Sequence, residues 1–176
     1  LCGHPEAAWP PFLKTHVQYA EVANRFRTPR LVAAIALDEY PVRTHPLEHI
    51  VLSRIEHEFA ARHGLRVALT EESHLLELVD RYVLPQSGRA LDGAAVSASG
   101  LPWSQLRDQD QARAAAVALD FIATSDFPLD WRRSRVEAWN ELRRALQVAK
   151  LDGVVVILDE LGLFLAGKDR RGLNAD

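Results

Sequence analysis

Asp159 and Glu160 are the residues best placed by type to do chemistry, because they directly follow the apolar run Val154-Val155-Val156-Ile157-Leu158. An aliphatic run of strand length with no polar face fits a strand buried in a parallel sheet. In open parallel sheets, ligands bind beyond the carboxyl ends of the strands, so the first residues past the run face the crevice. An Asp there can hold Mg²⁺ on a nucleotide's phosphates, usually through water. A Glu beside it can act as general base on the attacking water. Adjacency matters, since metal and water must both lie close to one γ-phosphate. The same residues also fit an ordinary strand ending in a solvated acidic turn, and the run alone does not separate the two readings.

A second acidic pair, Asp38-Glu39, follows a second apolar run, Leu31 to Leu37 (LVAAIAL). If both runs are strands of one parallel sheet, the two pairs open on the same edge. Asp38 and Glu39 could then touch substrate, support the metal site from behind, or meet a partner. A turn with solvated acids is the simpler reading.

Three other constellations carry less. Gly162 to Lys168 matches the G-x-x-x-x-G-K part of a phosphate-binding loop, but Asp169 stands where Ser or Thr should meet Mg²⁺. The intervening Leu-Phe-Leu-Ala reads as helix and core, not as an exposed phosphate nest. His45 and His49 have a zinc-binding spacing, yet His45 precedes Pro46 and no Cys partner is near. His49, His57 and His63 read as a solvated helix face. Lys168, Arg170 and Arg171 read as a solvated basic loop that could reach a phosphate or nucleic acid.

The elements needed to position the acids follow from periodicity. Pro10 to Phe26 reads as a helix, with apolar residues at spacings of three and four. Leu47 to His63 is amphipathic, with Leu47, Ile50, Val51, Ile55 and Phe59 on one stripe and Gly64 as its left-handed cap. Arg54 and Glu58 are spaced to pair across one turn. Leu65 to Leu69 reads as a short strand. Thr70 caps a helix running to about Val83, with Tyr82 inward and Pro85 as its stop. The Ser-, Gly- and Ala-rich stretch Gln86 to Pro102 reads as an exposed loop. Ser104 caps a long helix to about Ala123, and Trp131 to about Ala149 forms another with Val136, Trp139, Leu142 and Leu146 on one face. Phe121, Trp131 and Trp139 read as core. The expected fold class is therefore α/β, a mostly parallel sheet flanked by helices, with residues 71–150 as a helical insertion.

Composition bounds the function. The chain has 176 residues and a formal charge of -3, from 24 acidic and 21 basic residues. That balance lacks the basic footprint of a dedicated nucleic-acid binder. No apolar run reaches membrane-spanning length, and no signal peptide is evident. The lone Cys2 forms no internal disulfide, which favours a cytoplasmic setting. The absence of methionine suggests an internal piece of a longer protein.

Several stretches together resemble a known family. FLKTHVQYAEVANRF, RLVAAIALDEY, HPLEHIVLSRIE, TEESHLLELVDRYV and GVVVILDELGLFLAGKDRRGLNAD are similar to segments of the large bacterial P-loop ATPases of phage-resistance systems, the phage growth limitation and BREX ATPases. No such pattern covers the stretch from about Gln86 to Lys150. The resemblance implies a partial P-loop NTPase-like domain over residues 1–176, with ATP and Mg²⁺ as substrate and cofactor. Asp159 becomes the Walker B residue that holds Mg²⁺ through water, Glu160 the catalytic base, and Asp38-Glu39 the exit of a neighbouring strand. It further implies a Walker A loop upstream of the first helix, other defence proteins or DNA as indirect partners, and assembly into homo-oligomers. Two alternatives stay open. One is a helical interaction or scaffold module without nucleotide chemistry, whose two apolar runs would lie apart or antiparallel. The other is a regulatory ATPase of the signalling (STAND or AAA-like) type.

Overall fold

The computed structural model describes residues 28–40, 46–125 and 127–172, with side chains as far as residue 166. In chain order the elements are β1 (Leu31–Ala36), α1 (Leu47–His63), α2 (Glu71–Leu78), α3 (Leu84–Ser99), α4 (Trp103–Gln109), α5 (Gln111–Thr124), α6 (Arg135–Val148), β2 (Val154–Asp159) and α7 (Leu161–Gly172). The described residues are mostly helical, with one small two-stranded parallel sheet. The chain divides into two compact units, one of residues 1–66 and 142–176, the other Val67–Glu141. The helix read at Pro10–Phe26, and His45, fall outside the described residues.

In the sheet-bearing unit, β1 and β2 pair in parallel, from Leu31 opposite Val154 to Ala36 opposite Asp159. Two backbone bonds fix the start of this register: Leu31 N–H donates to the Gly153 carbonyl at 3.0 Å, and Asp152 N–H donates to the Pro29 carbonyl at 2.9 Å. One face of β1, made by Leu31, Ala33 and Ile35, is buried, and α1 packs on this strand. Ile50, Ile55 and Phe59 of α1 are buried as its apolar stripe requires. Gly64 ends α1 at φ 63°, the left-handed cap that its position after the last turn predicts.

One expectation for β2 is corrected. Two apolar faces predict a strand covered on both, yet Val156 and Ile157 are 39% and 52% exposed. Among the described residues β2 pairs only with β1, so it is an edge strand, and part of its apolar surface has no cover.

The unit Val67–Glu141 has its own core, centred on Leu75, Leu76, Val79, Val83, Leu91, Leu106, Ala118 and Phe121. Thr70 caps α2, its hydroxyl accepting from Ser73 N–H at 3.2 Å. Several readings of this region are corrected. Leu65 to Leu69 makes no strand: the segment is irregular, has no ladder partner, and sends Ala68 and Leu69 into the interior. Pro85 does not stop the helix. A wide π turn over Val79–Val83 intervenes, and Pro85 then falls in the first turn of α3, where its missing N–H is not needed. That wide turn also sends Val83 inward and leaves Tyr82 45% exposed. Gln86 to Ser99 is helix, not loop. Leu91 and Ala95 bury one side in the core of this unit, and Ser87 (φ -132°, ψ 23°) marks a kink.

The long helix expected from Ser104 is two helices. Trp103 N–H donates to Asp92 Oδ1 at 2.8 Å, and Asp110 breaks the run and caps α5 by accepting from Arg113 N–H at 3.0 Å. The helix expected from Trp131 begins four residues later, where Ser134 and Glu137 form a capping box. Glu137 Oε2 accepts from Ser134 N–H at 2.8 Å, and Ser134 Oγ accepts from Glu137 N–H at 3.2 Å. The Ser134 N–H and hydroxyl hold the Glu137 carboxyl below the usual carboxylate range. The expected face is corrected too: the buried residues of α6 are Ala138, Leu142 and Ala145, while Val136 and Trp139 are 68% and 59% exposed, so Trp139 is not core. Trp131 packs against the core from the connector. No helix among the described residues is long and apolar enough to cross a membrane.

Candidate functional site

The parallel register decides where the acids lie. Asp159 ends β2 directly opposite Ala36, the last residue of β1. Beyond Ala36 the chain makes one 3-10 turn over Leu37–Glu39, closed by Tyr40 N–H donating to the Leu37 carbonyl at 3.3 Å. Leu37 is fully buried with Ile35, Ile50 and Phe164, and this cluster anchors the turn. The acids of the turn are thereby held at the same sheet edge as Asp159.

A cavity of about 470 Å³ opens at this edge, lined by residues of β1, β2, the turn and α1. Its polar lining is Glu39, Tyr40, Arg54 and Asp159. The volume falls in the range of small-molecule sites. Asp38 and Glu160 are not among the lining residues. The structure therefore brings Glu39 and Asp159 together in one cavity, and leaves Asp38 and Glu160 outside its lining.

The Asp159–Glu160 junction has a defined geometry. Asp159 Oδ1 accepts from Glu160 N–H at 2.9 Å. Glu160 adopts φ 57°, a left-handed conformation that costs a non-glycine residue free energy. It then starts α7, its carbonyl accepting from Phe164 N–H at 3.0 Å. The bend ends β2 abruptly and leaves both carboxylates exposed.

Because α7 runs from Leu161, the Gly162–Lys168 match to a phosphate-binding loop is helical backbone. The side chains of Lys168, Arg170 and Arg171 lie outside the described residues. His57 and His63 are exposed on α1, and among the described residues no group of three or more His, Cys, Asp or Glu is disposed to hold a metal. Two carboxylates in one cavity suit Mg²⁺ nonetheless, since that ion is commonly held by one or two carboxylates and completed by water and phosphate oxygens.

Tyr40 and Arg54 are site residues that the sequence pattern does not single out. Arg54 has a signal, its spacing from Glu58, but that spacing also describes a solvated helix pair. Its place at the cavity depends on α1 packing against β1, which the spacing does not encode. No family model, curated protein or solved structure matches the chain.

Proposed function

We propose that the cavity at the carboxyl ends of β1 and β2 is the magnesium- and water-activating half of an ATP-hydrolysing site. The observation that carries this reading is the in-register parallel pairing, which puts Glu39 and Asp159 in one cavity of ligand size. Crevices at this edge are where open parallel sheets bind nucleotides. Parallel pairing is also the arrangement that a purely helical module would lack. The resemblance to bacterial phage-resistance ATPases adds the role of antiviral defence, with the phosphate-binding loop supplied from elsewhere in the protein.

In this reading Asp159, with Glu39 in the same cavity, would hold the cation through its bound waters. Mg²⁺, when bound, supplies charge neutralisation on the β- and γ-phosphates. Glu160 accepts a proton from water as the water oxygen attacks the γ-phosphorus. The bond from that phosphorus to the β–γ bridging oxygen breaks, and ADP leaves with the electron pair. Glu160 is exposed and directly follows Asp159, which lines the cavity, so this reading requires its side chain to turn toward the bound water.

The test is ATP turnover by the full-length protein with Glu160→Gln. A general base contributes about 10²- to 10⁴-fold, and the variant should lose that much. Unchanged turnover contradicts the assignment of Glu160.

A further inference from the structure

Glu58 is a buried carboxylate, only 4% exposed, on α1. It holds two guanidinium groups at once. Arg54 Nη2 lies 2.9 Å from Oε1, and Arg62 Nε lies 2.6 Å from Oε2. One arginine is enough to neutralise one carboxylate. The triad therefore keeps a surplus positive charge, and its two cations differ in place: only Arg54 lines the cavity.

Arg54 is also incompletely satisfied. Its Nε is buried and makes no hydrogen bond. Glu39 and Asp159 line the same cavity, yet Arg54 forms an ion pair with neither of them among the described residues. A guanidinium held through Nη2 by a buried carboxylate, with 36% of its side chain exposed, is pre-organised to offer its exposed part, rather than the buried Nε, to an anion. The charges fit a phosphate bound with a divalent cation: Glu39 and Asp159 attract the cation, and Arg54 the phosphate oxygens that come with it.

We propose that Arg54 is a phosphate-binding residue of the cavity, and that Glu58 is the positioning residue that aims it. This rests on the cavity being the Mg²⁺-nucleotide site proposed above, and it adds a cationic contact from α1, which neither acidic pair foretells. Arg62 completes the ion triad from the solvent side and does not touch the ligand.

The experiment is steady-state MgATP kinetics on the full-length protein with Arg54→Gln, Arg54→Lys, Glu58→Gln and Arg62→Gln, and with Asp159→Asn as reference. Loss of one charge-assisted contact should raise KM about tenfold in Arg54→Gln, with kcat changed far less. Arg54→Lys should recover part of that loss, because it restores charge without the fork. Glu58→Gln should raise KM in the same direction, and Arg62→Gln should leave it within about twofold. If Asp159→Asn removes turnover while Arg54→Gln leaves KM unchanged, the role of Arg54 is overturned and the nucleotide site stands. If Arg62→Gln raises KM as much as Arg54→Gln, the effect belongs to the ion triad's stability and the contact is overturned. If neither Asp159→Asn nor Arg54→Gln changes the kinetics, the nucleotide reading itself fails.

Discussion

Asp159→Asn is expected to lower Mg²⁺-dependent ATP turnover of the full-length protein about 10³-fold, the scale of several kcal/mol that a metal's charge stabilisation supplies. The substitution is selective. Asn keeps the side chain's shape and an oxygen that can accept from Glu160 N–H, the bond seen at 2.9 Å. It removes only the negative charge that faces the cavity. Asp159 is exposed, and β2 is held by its ladder to β1 rather than by this carboxylate. The thermal midpoint should therefore stay within about 2 °C, as exposed substitutions away from structural features are nearly neutral. Turnover within about threefold of the unaltered protein would exclude Asp159 as the metal-associated residue, since a lost charge contact of that kind costs far more. A large fall in the midpoint would give the residue a structural role instead.

Phe59→Ala is expected to destabilise the sheet-bearing unit by about 3–5 kcal/mol, the usual cost of emptying a fully buried aromatic site. Phe59 has no exposed surface. It lies near the carboxyl end of α1, where its carbonyl accepts from Leu65 N–H at 3.3 Å and its ring tilts against His63 with centroids 6.1 Å apart. α1 packs on β1 and also carries Arg54 and Glu58, so loosening it should weaken the cavity as well as the core. Urea unfolding followed by circular dichroism measures the change. A loss below about 1 kcal/mol would contradict the placement of Phe59 in a packed interior.

The site is more legible in the sequence than the helical region is. Both strands can be read because Leu31 to Leu37 and Val154 to Leu158 are uninterrupted aliphatic runs of strand length, each bounded by polar turns. Their parallel pairing follows from the helices between them. α1 is readable end to end, since its stripe runs to Phe59 and Gly64 caps the last turn. From Pro85 to Trp131 local signals mislead. Pro85 usually stops a helix, but a π turn just before it moves it into a first turn. Gly, Ser and Ala usually mark a loop, but here Leu91 and Ala95, one turn apart, bury one side of α3 in the core. Asp110 splits a helix that alanine content alone would continue. In each case packing overrides propensity, and packing is not a local property of sequence. The same limit hides Arg54 and Tyr40, which join the acids only through tertiary contact.

The burial of β2 is hidden for a related reason. Its two apolar faces are plain from residue types, but cover depends on what lies beside the strand. Val156 and Ile157, which point to opposite faces of β2, are 39% and 52% exposed.

The most direct test of the central claim is where the nucleotide's metal sits. Crystals of the full-length protein grown with Mn²⁺ and ADP would report this through the anomalous scattering of manganese. The expected result is a peak about 4–5 Å from the Asp159 carboxylate, the distance of a contact through one metal-bound water, on the side facing Glu39 and Arg54. A well-occupied Mn²⁺–ADP site elsewhere, with the cavity at the ends of β1 and β2 empty, would contradict the claim.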